Sequence, residues 1–171
     1  ILIVGGNFTA EYEKGTLIPV VTKGLSRQSV LAAKAVFLYG SWTVLYAVCF
    51  GITYGYNAYF WDNGIAGNLF FAVACTWLFG VWAAALLFFF SAVSKSSSQV
   101  LLGTGGTALG VYLLSMFPKL DAFLPARLLR GMELLQRVKS PEDYYAGITA
   151  AGLMVLLCMV LSVGCFDWKQ L

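Results

Sequence analysis

The sequence contains no histidine among its 171 residues, and Lys, Arg, Asp and Glu together make up only 11% of it. The absence of histidine excludes imidazole chemistry and histidine-ligated metals within these residues. Soluble domains average about 25% charged residues, so a soluble single domain does not fit this composition. The four cysteines all lie in apolar runs and form no CxxC pair that would suggest a metal or redox centre. We therefore predict no cofactor and no metal site.

Charge is missing altogether from four stretches, each 23 to 32 residues long. A hydrocarbon core of about 30 Å needs about 20 predominantly apolar residues in a helix, so each stretch can cross a bilayer. The apolar runs are continuous and do not alternate with a period of two, which excludes a transmembrane barrel. The predicted fold class is all-α: a polytopic membrane helix bundle with four full transmembrane helices and interfacial helices. The uncharged stretches are 35–61, 63–94, 96–118 and 144–166.

The remaining residues divide the chain into three parts. Residues 1–8 are apolar and lack the charged start and cleavage site of a signal peptide, so we interpret them as the tail of a preceding transmembrane helix. Residues 9–34 spread six charges among apolar residues and are predicted to be an interfacial segment. Residues 35–171 form the transmembrane bundle, which includes a short amphipathic helix near 125–138.

Two prolines mark predicted helix starts in the last third of the chain. Pro125 suits a first helical position, and apolar residues follow it at helical spacing on one face, while arginines and a glutamate occupy the other faces. Ser140-Pro141-Glu142-Asp143 is typical of an N-cap, an N1 proline and a first turn rich in carboxylates, which opens the last transmembrane helix. The predicted apolar face comprises Leu128, Leu129, Met132 and Leu135.

Glycines recur within two of the predicted transmembrane helices. Two pairs have the small-xxx-small spacing that allows helix backbones to approach closely in membranes. Close packing is the interpretation we favour over a direct functional use of these glycines. The predicted packing residues are Gly51, Gly55, Gly103, Gly106 and Gly110.

The transmembrane stretches lack the residues that most membrane chemistry requires. They contain no Asp, Glu, Lys or Arg, whereas ion-coupled carriers usually need an ionisable residue within the membrane. The sequence Gly103-Thr104-Gly105-Gly106 lacks the Lys-Ser/Thr of a P-loop, and no histidine or carboxylate stands ready to activate a nucleophile. Catalysis by this chain is therefore not expected. If the protein moves a substrate, its energy must come from a partner.

The charged segment near the N-terminus is similar to a motif of type 2 ATP-binding-cassette (ABC) permease subunits. That motif runs E-x-E-x-G-T-L, then proline, S-R and finally a lysine where the chain enters the membrane. In this sequence the matching residues are Glu11-Tyr12-Glu13-Lys14-Gly15-Thr16-Leu17, Ser26-Arg27 and Lys34. The F-x-x-K ending from Phe166 to Lys169 also fits the family.

The resemblance implies the organisation of a multi-pass exporter permease of the cell (inner) membrane. In this family the segment between the second and third of six transmembrane helices is cytoplasmic and carries the coupling helix that docks onto an ABC ATPase. Residues 1–8 would end the second helix, 9–34 would be the coupling segment, and the helix near 125–138 would be non-cytoplasmic. A second permease subunit, identical or paralogous, is expected. The residues implied in ATPase coupling are Glu11, Glu13, Lys14, Gly15, Thr16 and Arg27.

Other interpretations stay open at this point. The charges of residues 9–34 could simply mark the membrane boundary, as snorkelling side chains do. A tetraspan scaffold or assembly protein that transports nothing would use the glycines for packing alone. An ion-coupled carrier would need intramembrane charges in sequence preceding Ile1. The transported substrate cannot be inferred, because apolar walls suit lipid contact as well as an amphipathic cargo.

Overall fold

The computed structural model describes residues 27–60, 67–94, 96–117, 121, 123–136 and 138–168. Every regular element in these ranges is a helix, which confirms the predicted all-α class. The segment 1–8 and most of 9–34 lie outside the described residues. The longer helices are α1 (Arg27–Phe60), α2 (Leu69–Val93), α3 (Ser97–Leu114) and α5 (Tyr145–Trp168); the shorter elements are a 3-10 helix at Pro125–Leu129, α4 (Gly131–Leu135) and a 3-10 helix at Pro141–Tyr144.

Three helices of the described chain are long and apolar enough to cross a membrane: Ala32–Phe60, Leu69–Val93 and Pro141–Ser162. They coincide with three of the four predicted transmembrane stretches. The remaining stretch is helical as α3, but its 18 residues extend only about 27 Å at 1.5 Å per residue. Helix α3 also begins with the polar residues Ser97, Ser98 and Gln99, which shorten its apolar part. The count of four crossings therefore stays a prediction.

Helix α2 lies at the centre of the bundle and contacts α1, α3 and α5. In the most apolar part of α2 44% of the residues are buried, against 11% for α1. Helix α1 lies at the side of the bundle, where it packs mainly on α2 and contacts α5 through Tyr39, whose hydroxyl donates to Met159 Sδ at 3.4 Å. Helices α1 and α2 are antiparallel, since Trp42 lies beside Gly80 while Tyr46 lies beside Val73. The N-terminal end of α1 is consequently at the opposite end of the bundle from the N-terminal end of α2.

Helix α1 is longer than the transmembrane stretch that its sequence predicts. It begins at Arg27 and runs without a break to Phe60, so its 34 residues extend about 50 Å. All ten residues from 51 to 60 are exposed, although Tyr54 still contacts Phe70 of α2, with 6.4 Å between the ring centroids. Lys34, at the predicted membrane boundary, lies inside the helix and not at its start.

The segment between α3 and the last long helix, residues 121–140, is called the connector here. One amphipathic helix was predicted across it, but the described part contains two short helices that meet at Arg130, where φ is −82° and ψ is 39°. The predicted apolar face is wrong in part, because Leu129 and Met132 are exposed. The fully buried leucines are Leu128 and Leu134, since the kink turns these two toward α2 and α5.

The start of the last long helix matches the prediction. Pro141 occupies the first turn of a 3-10 helix that leads directly into α5. The Asp143 carboxylate accepts hydrogen bonds from the Ser140 backbone N–H at 3.3 Å and from the Ser140 hydroxyl at 3.4 Å. This arrangement satisfies a backbone donor that a helix start would otherwise leave without a partner.

Candidate functional site

The residues implied in ATPase coupling are not brought together by the described part of the structure. Glu11, Glu13, Lys14, Gly15 and Thr16 lie outside it, and Arg27 is described only as the first backbone residue of α1. Arg27 is nevertheless the first residue of a long helix, so the last eight residues of the segment 9–34 belong to α1.

Side chains of α1 hydrogen-bond to the backbone of α2 along their shared face. Trp42 Nε1 donates to the carbonyl of Trp77 at 3.3 Å, and one helical turn further on the Tyr46 hydroxyl donates to the carbonyl of Val73 at 2.8 Å. Trp77 Nε1 donates in turn to Thr43 Oγ1 at 3.3 Å. In an apolar medium these bonds fix the register of the two helices, because an aromatic donor without a partner would be costly there.

The close approach of α1 to α2 depends on Gly80. A Cβ atom at this position would overlap the Trp42 indole ring, so the ring packs directly on the α2 backbone. Sequence reasoning missed Gly80. A signal was present, because Thr76, Gly80 and Ala84 follow the small-xxx-small spacing on one face of α2.

The glycines predicted to pack helices divide into two groups. At Gly103 a Cβ atom would overlap the Phe90 ring, so this glycine lets α3 lie against α2. At Gly51, Gly55, Gly106 and Gly110 a Cβ atom would meet nothing within 4 Å among the described residues. These four glycines therefore face away from the helices described here, and packing against another subunit stays a prediction for them.

The connector holds a cluster of charged side chains that the sequence analysis did not single out. Asp121 Oδ2 lies 3.2 Å from Arg130 Nη1 and 3.8 Å from Arg127 Nη1. The Arg130 guanidinium also donates to the carbonyl of Ser115 at the end of α3, at 3.5 Å. One carboxylate oxygen thus attracts two guanidinium groups. Since Asp121 and Arg127 are both buried, this is a desolvated ion pair at one end of the bundle.

Tyr144 joins this cluster to the last long helix. Its hydroxyl donates to the backbone carbonyl of Arg130 at 2.9 Å, and the Arg127 guanidinium carbon lies 5.3 Å from the centre of its ring. Beside them, Lys139 Nζ lies 2.7 Å from Glu133 Oε2. The cluster therefore ties the end of α3, the connector and the start of α5 into one unit.

Packing under the cluster anchors the connector to α2. Leu128 and Leu134 are fully buried with Ala72 and Cys75 of α2. Gly131 lies so close to α2 that a Cβ atom there would be 3.5 Å from the Ala72 Cβ. The connector is thus a packed part of the bundle and more than a surface loop.

The described side chains of the α1–α2 interface and the connector can stabilise helix packing and bind polar groups. Across the described ranges, no group of three or more His, Cys, Asp or Glu side chains could hold a metal ion. The charged side chains of the connector contact one another, the Tyr144 ring and the backbone carbonyl of Ser115.

Comparison with known proteins gives one match. A family model described as "ABC-2 family transporter protein" matches residues 3–140, which is well over half of the chain. The match includes the charged segment near the N-terminus, helices α1 to α3 and the whole connector. No curated protein and no solved structure is significantly similar to the chain.

Proposed function

Because this chain belongs to the ABC-2 family of transporter proteins, we propose that it is the permease subunit of an ATP-driven exporter in the cell (inner) membrane. Family membership makes the chain a multi-pass membrane component of an ABC transporter, and it implies an ABC ATPase as partner. The match over residues 3–140 carries the proposal, and the three apolar helices support it. To family membership we add two proposals: the transporter exports its substrate, and residues 9–34 couple the permease to the ATPase.

The path of α1 supports coupling through its N-terminal end. A soluble ATPase that moves the coupling segment would pull or tilt a helix of about 50 Å, because residues 27–34 of that segment are the first residues of α1. The hydrogen bonds from Trp42 and Tyr46 would pass this tilt to α2. Nucleotide-driven movement would thereby reach the centre of the bundle, as alternating access requires.

A second permease subunit, identical or paralogous, would complete the transporter. Support comes from glycines of α1 and α3, because a Cβ atom at Gly51, Gly55, Gly106 or Gly110 would meet nothing within 4 Å among the described residues. Small residues are the surfaces on which transmembrane helices approach each other most closely.

The coupling proposal is tested by co-purification from native membranes. A tagged chain should retain a P-loop ATPase, identified by mass spectrometry, and the double variant Glu11→Gln with Gly15→Ala should lose it. The matched control is Glu142→Gln with Gly40→Ala: Glu142 is an exposed carboxylate at the other end of the bundle, and Gly40 has open space around it. Retention of the ATPase by the first double variant would contradict the assignment of the coupling residues.

A further inference from the structure

The charged cluster of the connector lies beside the first turns of the apolar helix α2. Gly131 contacts Ala72 and Thr76, which are in the first two turns of the apolar helix α2. Two turns of helix rise about 11 Å, so the connector lies beside the end of a transmembrane helix and not far above it. The interfacial layer of a bilayer, where headgroups meet acyl chains, occupies this zone.

Three buried polar atoms of the cluster have no hydrogen-bond partner among the described residues: Asp121 Oδ1, Arg127 Nε and Glu133 Oε2. The charge of Glu133 is compensated by Lys139, whose Nζ lies 2.7 Å from Glu133 Oε2. The ion pair of Asp121 with Arg127 does not compensate the other two atoms, because Arg127 Nη1 lies 3.8 Å from Asp121 Oδ2, beyond hydrogen-bond distance. Buried polar atoms without a partner are rare in native proteins, and a bound water, ion or ligand is one explanation of them. A single group that accepts from a guanidinium and donates to a carboxylate would satisfy both atoms.

The charge of the cluster favours an anion. Asp121 carries one negative charge against the two positive charges of Arg127 and Arg130, while Glu133 and Lys139 neutralise each other. Arg130 uses two of its five N–H donors, on Asp121 and Ser115. Free guanidinium donors with one excess positive charge suit a phosphate group, which they can bind through paired hydrogen bonds.

We propose that the connector binds a phospholipid whose headgroup carries both a phosphate and a primary ammonium, as phosphoethanolamine does. The phosphate binds Arg130 and Arg127, and the ammonium donates to Asp121 Oδ1. A lipid reaches the site past Arg130, whose side chain is 41% exposed while those of Arg127 and Asp121 are 11% and 9% exposed.

Exposed apolar side chains flank the site where acyl chains would lie. Phe123, Leu129 and Met132 all have large exposed surfaces on the connector, next to the arginines. Surface apolar residues beside basic ones are typical of segments that lie in the interfacial layer of a membrane. The bound lipid would hold the connector at this depth. This binding requires no ATPase and does not depend on the proposed coupling.

The test measures lipid binding to the full-length chain in detergent by native mass spectrometry. Phosphatidylethanolamine (PE), phosphatidylcholine (PC) and phosphatidylglycerol (PG) are added separately. The quaternary ammonium of PC cannot donate a hydrogen bond, so PE should bind about tenfold more tightly, the effect of one charge-assisted hydrogen bond. Equal affinity for PE and PC would overturn the assignment of the ammonium to Asp121.

Variants separate the two halves of the headgroup. Arg127→Gln should weaken PE binding about tenfold or more, whereas Lys139→Gln, which removes the same charge from a paired lysine of the connector, should change it less than twofold. Asp121→Asn should abolish the preference for PE over PC. It should also raise the affinity for PG, because removal of the carboxylate raises the net charge of the cluster by one unit. A purely structural Asp121 would instead weaken binding of all three lipids equally.

Folding and the source of the phosphate are controlled in the same experiment. Arg127→Lys keeps the charge in a smaller donor and should retain PE binding at an intermediate affinity, so its complete loss of binding in a folded chain would contradict the proposal. Inorganic phosphate at millimolar concentration should not displace PE. Displacement by free phosphate would reveal a general anion site and overturn the lipid assignment.

Discussion

Replacement of Gly80 by alanine tests the packing of α1 on α2. The added Cβ would overlap the Trp42 indole, and the ring must move away from the α2 backbone. Overpacking of this kind costs about 1 to 3 kcal/mol, and loss of the Trp42 hydrogen bond to Trp77, 3.3 Å long, costs about 1 kcal/mol more. Alanine returns about 1 kcal/mol through its higher helix propensity. The net expectation is a destabilisation of about 1 to 3 kcal/mol.

The matched control is Gly40→Ala. Gly40 lies in α1, and its added Cβ would have nothing within 4 Å. It should leave stability unchanged or raise it by up to about 1 kcal/mol. Stability is measured by titrating the purified chain in mixed micelles with a denaturing detergent and following its unfolding. The double variant Trp42→Ala with Gly80→Ala should show a coupling energy of about 1 to 3 kcal/mol, because the overlap disappears with the ring. Equal stability of Gly80→Ala and Gly40→Ala would refute this account of the interface.

Two further contrasts follow from the packing of α3 and of the connector. Gly103→Val should displace the Phe90 ring and destabilise the chain by about 1 to 3 kcal/mol in the same detergent titration. In a chain that also carries Phe90→Ala, the valine should destabilise less, because the ring that it displaces is absent. Leu128→Ala should lower the free energy of unfolding by about 2 to 5 kcal/mol because this side chain is fully buried. Leu129 is its exposed neighbour, and Leu129→Ala should lower it by less than about 0.5 kcal/mol. Equal effects of the two substitutions would contradict the observed kink.

The long helices could be predicted because their physical cause lies in the sequence itself. Uncharged runs of bilayer length must form helices in lipid, and three of them are helices of that kind. The start of the last long helix was equally accessible, since Ser140, Pro141 and Asp143 act locally on the backbone next to them. Local chemistry and membrane length together account for most of the fold.

The connector could not be predicted in the same way. Helical periodicity places Leu129 and Met132 on an apolar face, but the contact of Gly131 with α2 and the kink at Arg130 rotate other residues inward. Arg127 is buried because Asp121 and Tyr144 surround it, and their proximity is a tertiary feature that no local pattern reveals. The charged cluster could therefore be identified only from the structure.

The orientation of the two ends of the bundle tests the central claim most directly. Single cysteines at Glu13 and at the exposed Glu142, in a chain otherwise free of cysteine, are labelled with a membrane-impermeant maleimide in inside-out and right-side-out vesicles. We predict that Glu13→Cys reacts only from the side that holds ATP and is protected when the ATPase is bound, and that Glu142→Cys reacts only from the opposite side. Labelling of Glu13→Cys from the side without nucleotide would contradict the proposal that an ATPase drives this permease.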